Sequence, residues 1–239
     1  MKVDLQRKPL IIAHRGERIL APENTIKACH LALEQGATAL EIDVRVCGTG
    51  ELIVFHDNFL LKHFGKAKTV ALTSLAEIKS LEFLKKNYKY PAQICTLDEF
   101  FEEFRGKVPI NIDAKNLFRS NKELARLLIQ LIEDFNIEDQ IWISSFNPLL
   151  LHFIKKMRPS MRTGYLFSNF SNMHKLIDRL IENDAWHPHY RLISERLVKM
   201  ARDLQKELYV WTINDEPLLN LALAYGLDGI ITDTFYRTR

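Results

Sequence analysis

Short apolar runs of β-strand character alternate with helical segments along almost the whole chain. Runs of this kind include Leu10 to Ala13, Ala39 to Val46, Val108 to Asp113, Arg162 to Phe167 and Gly229 to Thr232. Because single strands that alternate with helices pair in parallel, this pattern predicts a parallel sheet covered by helices. Open doubly wound sheets usually carry a glycine-rich fingerprint after the first strand, and none follows the first run here. We therefore predict an α/β fold, a closed TIM (β/α)8 barrel.

The second strand is predicted to fold back as a hairpin. Residues 51 to 55 follow it after the turn Gly48-Thr49-Gly50, and glycine supplies the positive φ that a tight turn needs. The returning strand would bring His56 next to the acidic pair Glu41 and Asp43. The hairpin thus predicts a meeting of an imidazole with two carboxylates at one end of the sheet.

Residues from about 57 to 107 interrupt the regular alternation. They contain two helix starts of capping-box form, Ser74 with Glu77 and Thr96 with Glu99, in which side chains satisfy free amides of the first helical turn. We predict that these residues form a small helical insertion after the second strand, over the mouth of the barrel.

The length of the chain fits one large barrel. We expect a single domain over residues 1–239, since 239 residues suit one such barrel at least as well as two small domains. So few residues follow Asp233 that the last covering helix is expected to be short or missing.

Charge and cysteine content limit which partners and which cellular compartment suit the chain. The net charge is only +3, and the basic residues are scattered among acidic ones, which argues against a nucleic-acid partner. Cys29, Cys47 and Cys95 are too few and too irregularly spaced for a disulfide framework or a zinc site, and they suit a reducing compartment. The sequence shows no signal peptide or long apolar run, so we expect a cytoplasmic protein. No pattern in it specifies an oligomeric state.

Three acidic residues are candidate metal ligands. Glu41 and Asp43 are two apart on the second strand, so both side chains point to the same side, into the barrel, while Ile42 and Val44 point outward. Asp113 ends the next parallel strand, and the carboxyl ends of barrel strands form the active site. Carboxylate oxygens suit a hard cation, so these residues predict a site for Mg²⁺ or Ca²⁺.

The neighbouring residues suit the cleavage of a phosphodiester. Arg15 and Lys115 would bind the phosphate oxygens, and histidine transfers protons near neutral pH. We assign His14 as the base and His56 as the acid on the leaving oxygen, and the reverse assignment is left open. Trp211 is predicted either to form a wall beside the substrate or to pack in the barrel.

A set of short motifs, in order along the whole chain, resembles the glycerophosphodiester phosphodiesterase family. The motifs are His14-Arg15-Gly16, Pro22-Glu23-Asn24-Thr25, Glu41-x-Asp43, His56-Asp57, Asp113-x-Lys115, Ser144-Ser145-Phe146, Val210 to Asn214 and Asp228 to Asp233. The resemblance implies a TIM barrel that hydrolyses glycerophosphodiesters to an alcohol and sn-glycerol 3-phosphate with Mg²⁺ or Ca²⁺. It also suggests a cyclic phosphate intermediate where the substrate offers an adjacent hydroxyl.

The chain departs from the family pattern in several places. The family usually has glutamate at the position of Asp113 and commonly has proline where Phe235 stands. The segment Phe59 to Phe64 replaces an arginine-rich stretch of the family. These differences bear on headgroup specificity and on the choice of metal.

Two other functions fit the same residues. One is a lysophospholipase D or an enzyme like phospholipase C or sphingomyelinase D, which would act on lipid phosphodiesters. The segment Phe59 to Phe64, with the neighbouring lysines, would then make transient contact with an anionic membrane, or else it is a lid packed over the mouth. The other is a barrel without catalytic activity that serves as a binding or scaffold protein.

Overall fold

A closed barrel of parallel strands forms the centre of the protein. The computed structural model describes residues 9–85, 88–116, 120–169, 177–178 and 180–235. Eight parallel strands close into the barrel because β1 pairs with both β2 and β9, and the short β3 pairs antiparallel with the end of β2. The strands are β1 (Leu10–His14), β2 (Ala39–Val46), β3 (Leu52–Val54), β4 (Ile110–Ala114), β5 (Ile141–Ser145), β6 (Arg162–Phe167), β7 (Ala185–Pro188), β8 (Glu207–Val210) and β9 (Gly229–Thr232). The predicted TIM barrel is confirmed.

Helices connect the strands and cover the outside of the barrel. Among the described residues, the α-helices include α1 (Ile26–Glu34), α2 (Leu61–Phe64), α3 (Leu75–Lys79), α4 (Leu97–Phe104), α5 (Asn121–Phe135), α6 (Pro148–Met157), α7 (Glu195–Asp203) and α8 (Glu216–Ala224). Side chains cap several of them: the Thr25 hydroxyl accepts a hydrogen bond from the Ala28 amide at the start of α1, and Asn147 caps α6 with proline following it.

Alternation along the strands divides the core into two parts. On β2, Leu40, Ile42 and Val44 point outward and pack with residues of the covering helices in the main hydrophobic cluster. A smaller cluster fills the lower interior of the barrel, and it contains Leu10, Ile12, Ala39, Trp142, Ala185, Tyr209 and Ile231. Several interior positions toward the carboxyl ends of the strands carry polar side chains, including Glu41 and Asp43.

The predicted hairpin is present and places His56 at the mouth. Val44 pairs with Val54, and Gly50 in the turn has a φ of 107°. The Phe55 amide then donates a 2.9 Å hydrogen bond to the Asp43 carbonyl. The residue after Phe55 is therefore held beside the acidic pair of β2.

The predicted insertion is shorter at its C-terminal end than residues 57–107. Its first part, which we call the covering segment (residues 57–85), packs around a cluster of its own that includes Leu60 and Phe64. Helix α4, by contrast, buries Phe100 and Phe101 in the main cluster. It is the barrel helix between β2 and β4, although it begins with the predicted capping box of Thr96 and Glu99.

The ends of the chain lie outside the described residues. Among the described residues, which end at Phe235, no helix follows β9. The single domain over residues 1–239 stays a prediction, because residues 1–8 and 236–239 are not described. Within the described part of the chain, every helix is too short or too polar to cross a bilayer.

Candidate active site

Three carboxylates meet at the carboxyl ends of β2 and β4. The two strands are parallel neighbours with Asp43 opposite Asp113, and Glu41 lies two residues before Asp43 on the same face. Each of the three residues offers an oxygen within 4.8 Å of the others, and all three are buried. The strand spacing read from the sequence therefore brings the three predicted metal ligands together.

Arg15 is held against this cluster by its backbone and its side chain. Its amide donates to the Glu41 carbonyl at 3.0 Å and to Glu41 Oε2 at 3.1 Å. Its guanidinium donates to Glu23 Oε1 at 2.9 Å, and its Nε lies 2.9 Å from Asp43 Oδ2. Gly16 follows with a φ of 77°, and a Cβ there would lie 2.6 Å from the backbone of α1. Only glycine fits this turn, which explains the third residue of the His-Arg-Gly motif.

Lys115 supplies the second cation. Its amide donates to the Val44 carbonyl at 3.0 Å, which fixes the backbone just beyond β4. Its Nζ lies 3.1 Å from Asp43 Oδ1 and also contacts Asp113. Two cations thus lie against the three carboxylates of the cluster.

Burial and crowding set the charge states of the carboxylates. Burial raises the pKa of Glu41 well above its ordinary value, and the neighbouring Asp43 raises it further. Burial likewise raises the pKa of Asp113. Burial would also raise the pKa of Asp43, but Lys115 and Arg15 outweigh it and hold that pKa well below its usual range. Burial therefore opposes the ionisation of Glu41 and Asp113, whereas the two cations favour the ionised form of Asp43.

The donor set fits a divalent cation. Asp113 Oδ1 is a buried oxygen that makes no hydrogen bond within the described residues, whereas the buried Asp43 Oδ1 lies 3.1 Å from Lys115 Nζ. Unpaired buried carboxylate oxygens are costly unless a cation compensates them. Hard oxygen donors from Glu41, Asp43 and Asp113 are the ligand type that Mg²⁺ and Ca²⁺ take. The cluster could therefore hold a divalent metal ion.

His14 forms a pair with a carboxylate from the other end of the chain. Its Nδ1 lies 2.8 Å from Asp233 Oδ1, just beyond the paired strands β1 and β9. Asp233 Oδ2 accepts a 2.8 Å hydrogen bond from the Asn214 amide group and lies 3.1 Å from Arg18. A carboxylate at Nδ1 fixes the ring orientation and leaves Nε2 as the nitrogen that is free to act on a substrate.

His56 is paired in the same way with its sequence neighbour. Its Nδ1 lies 2.6 Å from Asp57 Oδ1, while Lys62 Nζ and His63 Nε2 lie 3.6 Å and 3.2 Å from Asp57 Oδ2. Burial lowers the pKa of His56, although Asp43 acts in the opposite direction. His56 is therefore neutral at neutral pH.

The two histidines and the cluster open onto one small pocket. Its volume is about 170 Å³. It is lined by His14, Arg15, Glu41, His56, Asn111, Asp113, Lys115, Ser144, Phe146, Leu166, Trp211, Thr212 and Ile231. Of the residues predicted for the site, Asp43 alone is absent from this lining, because Asn24, Arg15 and Lys115 surround its fully buried side chain.

Trp211 lines the pocket and also packs in the barrel, the two positions between which the sequence did not decide. It lines the pocket, where its ring meets Phe146 edge to face at 5.5 Å between centroids. It also packs against the small interior cluster of the barrel, and its Nε1 donates to the His187 carbonyl at 2.7 Å. It is therefore a rigid wall of the pocket that is anchored in the core.

Sequence reasoning did not assign a site role to three residues that hold the site together. Asp233 and Asp57 bind the two imidazoles. Asn24, which could equally be a residue of the first helical turn, lies before the true cap Thr25 and has a φ of 58°. Its side chain donates to Asp43 Oδ2 at 2.9 Å and accepts from the Asp43 amide at 3.0 Å. The available signal was that each of the three lies in one of the ordered motifs.

At the mouth of this TIM barrel, acid–base groups and cations surround a buried carboxylate cluster. Such an arrangement is typical of an enzyme that hydrolyses phosphate esters. Comparison with known proteins narrows this class. The sequence model of the glycerophosphoryl diester phosphodiesterase family matches residues 14–236. The chain therefore belongs to the glycerophosphoryl diester phosphodiesterase family, and the predicted family and enzyme class are confirmed.

Individual relatives agree over nearly the whole length. The chain is 34% identical over 229 residues to a glycerophosphodiester phosphodiesterase of Caldanaerobacter subterraneus subsp. tengcongensis, covering 95% of this chain and 94% of that protein. A phosphodiesterase of Oleispira antarctica, solved in complex with the product sn-glycerol-3-phosphate, is 28% identical, with a TM-score of 0.85 over 94% of this chain and 93% of that one. A crystal structure from Silicibacter pomeroyi has the same fold, with a TM-score of 0.86 at 22% identity and coverage of 97% and 93%.

Proposed function

We propose that the protein hydrolyses glycerophosphodiesters to an alcohol and sn-glycerol 3-phosphate, with a divalent metal and with His14 and His56 as the proton-transfer groups. The observation that carries this proposal is that both imidazoles line one pocket above three buried carboxylates, each with its Nδ1 bound to an aspartate. The Oleispira relative, solved with sn-glycerol-3-phosphate, supports the identity of the product.

The size and charge of the pocket favour a small phosphorylated group. A volume of about 170 Å³ suits a glycerophosphoryl group better than a diacyl lipid. Three carboxylates beside two cations leave one negative charge, so a bound divalent cation would make the site positive. A positive site matches the single negative charge of a phosphodiester. Arg15 and Lys115 would bind its oxygens with charge-assisted hydrogen bonds.

We assign the metal to Glu41, Asp43 and Asp113 and expect Mg²⁺ or Ca²⁺ there. When bound, such an ion neutralises phosphate charge and makes the phosphorus easier to attack. The protein's own part is to position the ligands. Asn24 and Arg15 hold Asp43 in place, and Lys115 lies between Asp43 and Asp113.

The two histidines divide the proton transfers. Because burial lowers the pKa of His56, its imidazole starts neutral and accepts the proton of the attacking hydroxyl, which is water or the glycerol 2-hydroxyl. His14, oriented by Asp233, donates its Nε2 proton to the leaving alcohol oxygen. This is the reverse of the first assignment from the sequence. With water as the attacking group, attack on phosphorus, breaking of the ester bond and the two proton transfers give the alcohol and sn-glycerol 3-phosphate directly. With the glycerol 2-hydroxyl, the same transfers release the alcohol and leave a cyclic glycerol phosphate, which a water molecule opens in a second step to give sn-glycerol 3-phosphate.

The test is an assay with and without Mg²⁺ or Ca²⁺ on glycerophosphocholine, glycerophosphoethanolamine, lysophosphatidylcholine and phosphatidylinositol, with products identified by phosphorus NMR. We expect choline or ethanolamine together with sn-glycerol 3-phosphate, and no turnover after treatment with a chelator. Release of phosphocholine and glycerol, or full activity in the chelator, would overturn the proposal.

A second candidate is the same hydrolysis on a phosphodiester that still carries an acyl chain, a lysophospholipase D reaction. A larger cavity of about 450 Å³ favours it, since the walls include Pro22 and the apolar residues Leu81 and Phe83 of the covering segment. In the same assay, lysophosphatidic acid from lysophosphatidylcholine would select this activity. A cyclic phosphate as the end product would select a reaction like that of phospholipase C.

We also infer a cytoplasmic location. Cys29, Cys47 and Cys95 are all buried and form no disulfide among the described residues, as expected for a chain that folds in a reducing compartment. Cell fractionation with a tagged chain tests this inference, and recovery outside the cytoplasmic fraction would contradict it.

A further inference from the structure

Large exposed apolar side chains gather at the mouth of the barrel. In a TIM barrel, the segments that follow the carboxyl ends of the strands lie at one end of the molecule. The exposed apolar residues in these segments are Ile19, Phe59, Leu61, Leu72, Leu84, Phe146 and Leu149. Exposed apolar residues in such a group mark a surface that meets an apolar partner.

The covering segment supplies the centre of this surface. Phe59, Leu61 and Leu84 are 53%, 56% and 56% exposed. The Leu84 amide donates to the His63 carbonyl at 2.8 Å, and its methyl groups lie over Gly65, one turn after Leu61. These contacts place Leu84 beside the helix that begins at Leu61, and Phe59 lies exposed two residues before that helix.

The inner face of the same segment is already filled. Leu60 and Phe64 are buried in the cluster of the covering segment, and Phe64 packs on Phe83 at 4.7 Å between ring centroids. The apolar residues between Phe59 and Phe64 therefore have two different roles. Its buried residues hold the fold, and Phe59 and Leu61 remain for an outside partner.

Charge indicates the kind of partner. The covering segment has five lysines against three acidic residues. Lys62, Lys66 and Lys85 are exposed around the apolar side chains. Apolar side chains flanked by lysines favour an anionic bilayer surface. The apolar side chains enter the bilayer interface, and the anionic lipids attract the lysines.

We infer that Phe59, Leu61 and Leu84, flanked by these lysines, dock the protein transiently on an anionic lipid bilayer. Asp57 begins the covering segment and binds His56, so docking would turn the pocket toward the lipid surface. The inference goes beyond the proposed hydrolysis and does not depend on it.

Sedimentation with vesicles tests the inference. The full chain is mixed with vesicles of phosphatidylcholine containing phosphatidylglycerol, or of phosphatidylcholine alone, at low salt. We expect more protein to sediment with the anionic vesicles and less as salt is raised, because salt screens the lysines. Lys66→Glu should weaken binding to the anionic vesicles.

Two matched double variants distinguish docking through the apolar residues from nonspecific adsorption to vesicles. In Phe59→Ser with Leu61→Ser, we expect the bound-to-free ratio to fall by about tenfold or more, since each factor of ten corresponds to only about 1.4 kcal/mol. In Leu221→Ser with Leu223→Ser, on helix α8 outside the covering segment, the ratio should not change, although these leucines are also 38% and 40% exposed. Far-UV circular dichroism confirms that both variants fold.

Three results would overturn the inference: wild-type protein that stays in solution with anionic vesicles, equal binding by the Phe59 and Leu61 variant, or a dimer in sedimentation velocity that this variant abolishes. Failure of the proposed hydrolysis is seen separately. It would appear as no turnover of soluble glycerophosphocholine, whatever the vesicles show.

Discussion

The Nδ1 atom of His14 lies 2.8 Å from Oδ1 of Asp233, although 219 positions separate them in the sequence. The pair forms beside β1 and β9, the first and last strands, whose pairing closes the barrel. A second pair, His56 with Asp57 at 2.6 Å, lies beside the hairpin of β2 and β3. Each imidazole that lines the pocket is thus oriented by its own carboxylate.

Replacing Asp233 by Asn should lower kcat/KM by roughly 10²-fold or more, because the amide does not orient the His14 ring in the same tautomer. The fold should persist, since Asn keeps the size of the side chain. The measurement is a pH profile of kcat/KM beside thermal unfolding. Asp203→Asn, at an exposed position on α7, is the control and should leave both unchanged. An unchanged pH profile for Asp233→Asn would exclude a positioning role.

His14→Ala and His56→Ala should each reduce kcat by roughly 10²-fold to 10⁴-fold, because each removes a proton-transfer group. His152→Ala, at an exposed position on α6, is the control and should retain full activity. Steady-state kinetics with circular dichroism on all three variants distinguishes lost chemistry from lost structure. Unfolding of both active-site variants would show instead that these histidines serve stability.

Asp43→Asn should weaken metal binding by roughly 10²-fold or more, since loss of even an outer partner of a metal site costs 10-fold to 100-fold. The amide still fits beside Asn24, so the local structure should remain. Isothermal titration calorimetry with Mg²⁺ and Ca²⁺ measures the change without any activity assay. Asp139→Asn, an exposed residue far along the chain, is the matched control. Equal metal affinity in the two variants would remove Asp43 from the ligand set.

His187 should make the folded state sensitive to acid. Burial lowers its pKa to about 3, and Arg162 acts in the same direction. An unfolded histidine has a pKa of about 6.5, so between these two values the unfolded chain binds a proton that the folded chain does not. The free energy of unfolding therefore falls as pH decreases across this window, by up to about 1.4 kcal/mol per pH unit.

His187→Leu should remove this contribution and flatten the pH dependence by that amount between about pH 6 and pH 4. Leucine is also compatible with the site, because neither ring nitrogen of His187 has a hydrogen-bond partner among the described residues. Urea unfolding at a series of pH values measures the slope. His152→Leu, an exposed histidine, should behave as wild type. Parallel slopes for wild type and His187→Leu would contradict the prediction.

The carboxylate cluster could be predicted because it depends on local rules. Glu41 and Asp43 are two apart, so a strand directs both inward, and Asp113 ends the next parallel strand. Helix α4 could not be assigned in the same way. Its capping box indicates a helix but not a neighbour, and only the burial of Phe100 and Phe101 in the main cluster shows that it belongs to the barrel wall.

The local sequence pattern also could not predict which apolar residues of the covering segment are exposed. Phe59, Leu60, Leu61 and Phe64 are all apolar, and a helix of one turn gives no periodicity that separates a buried side from an exposed one. Packing of Phe64 on Phe83 makes that separation.

By itself, the sequence determined the barrel, the strand ends that carry chemistry, and the residue types collected there, because periods of two and of about 3.6 residues fix which side chains face inward. The tertiary structure alone decided that Asp233 binds His14, that Asn24 binds Asp43 and that burial lowers the pKa of His56. These properties depend on distances across a closed barrel and on removal from water, which arise only when segments far apart in the sequence pack together.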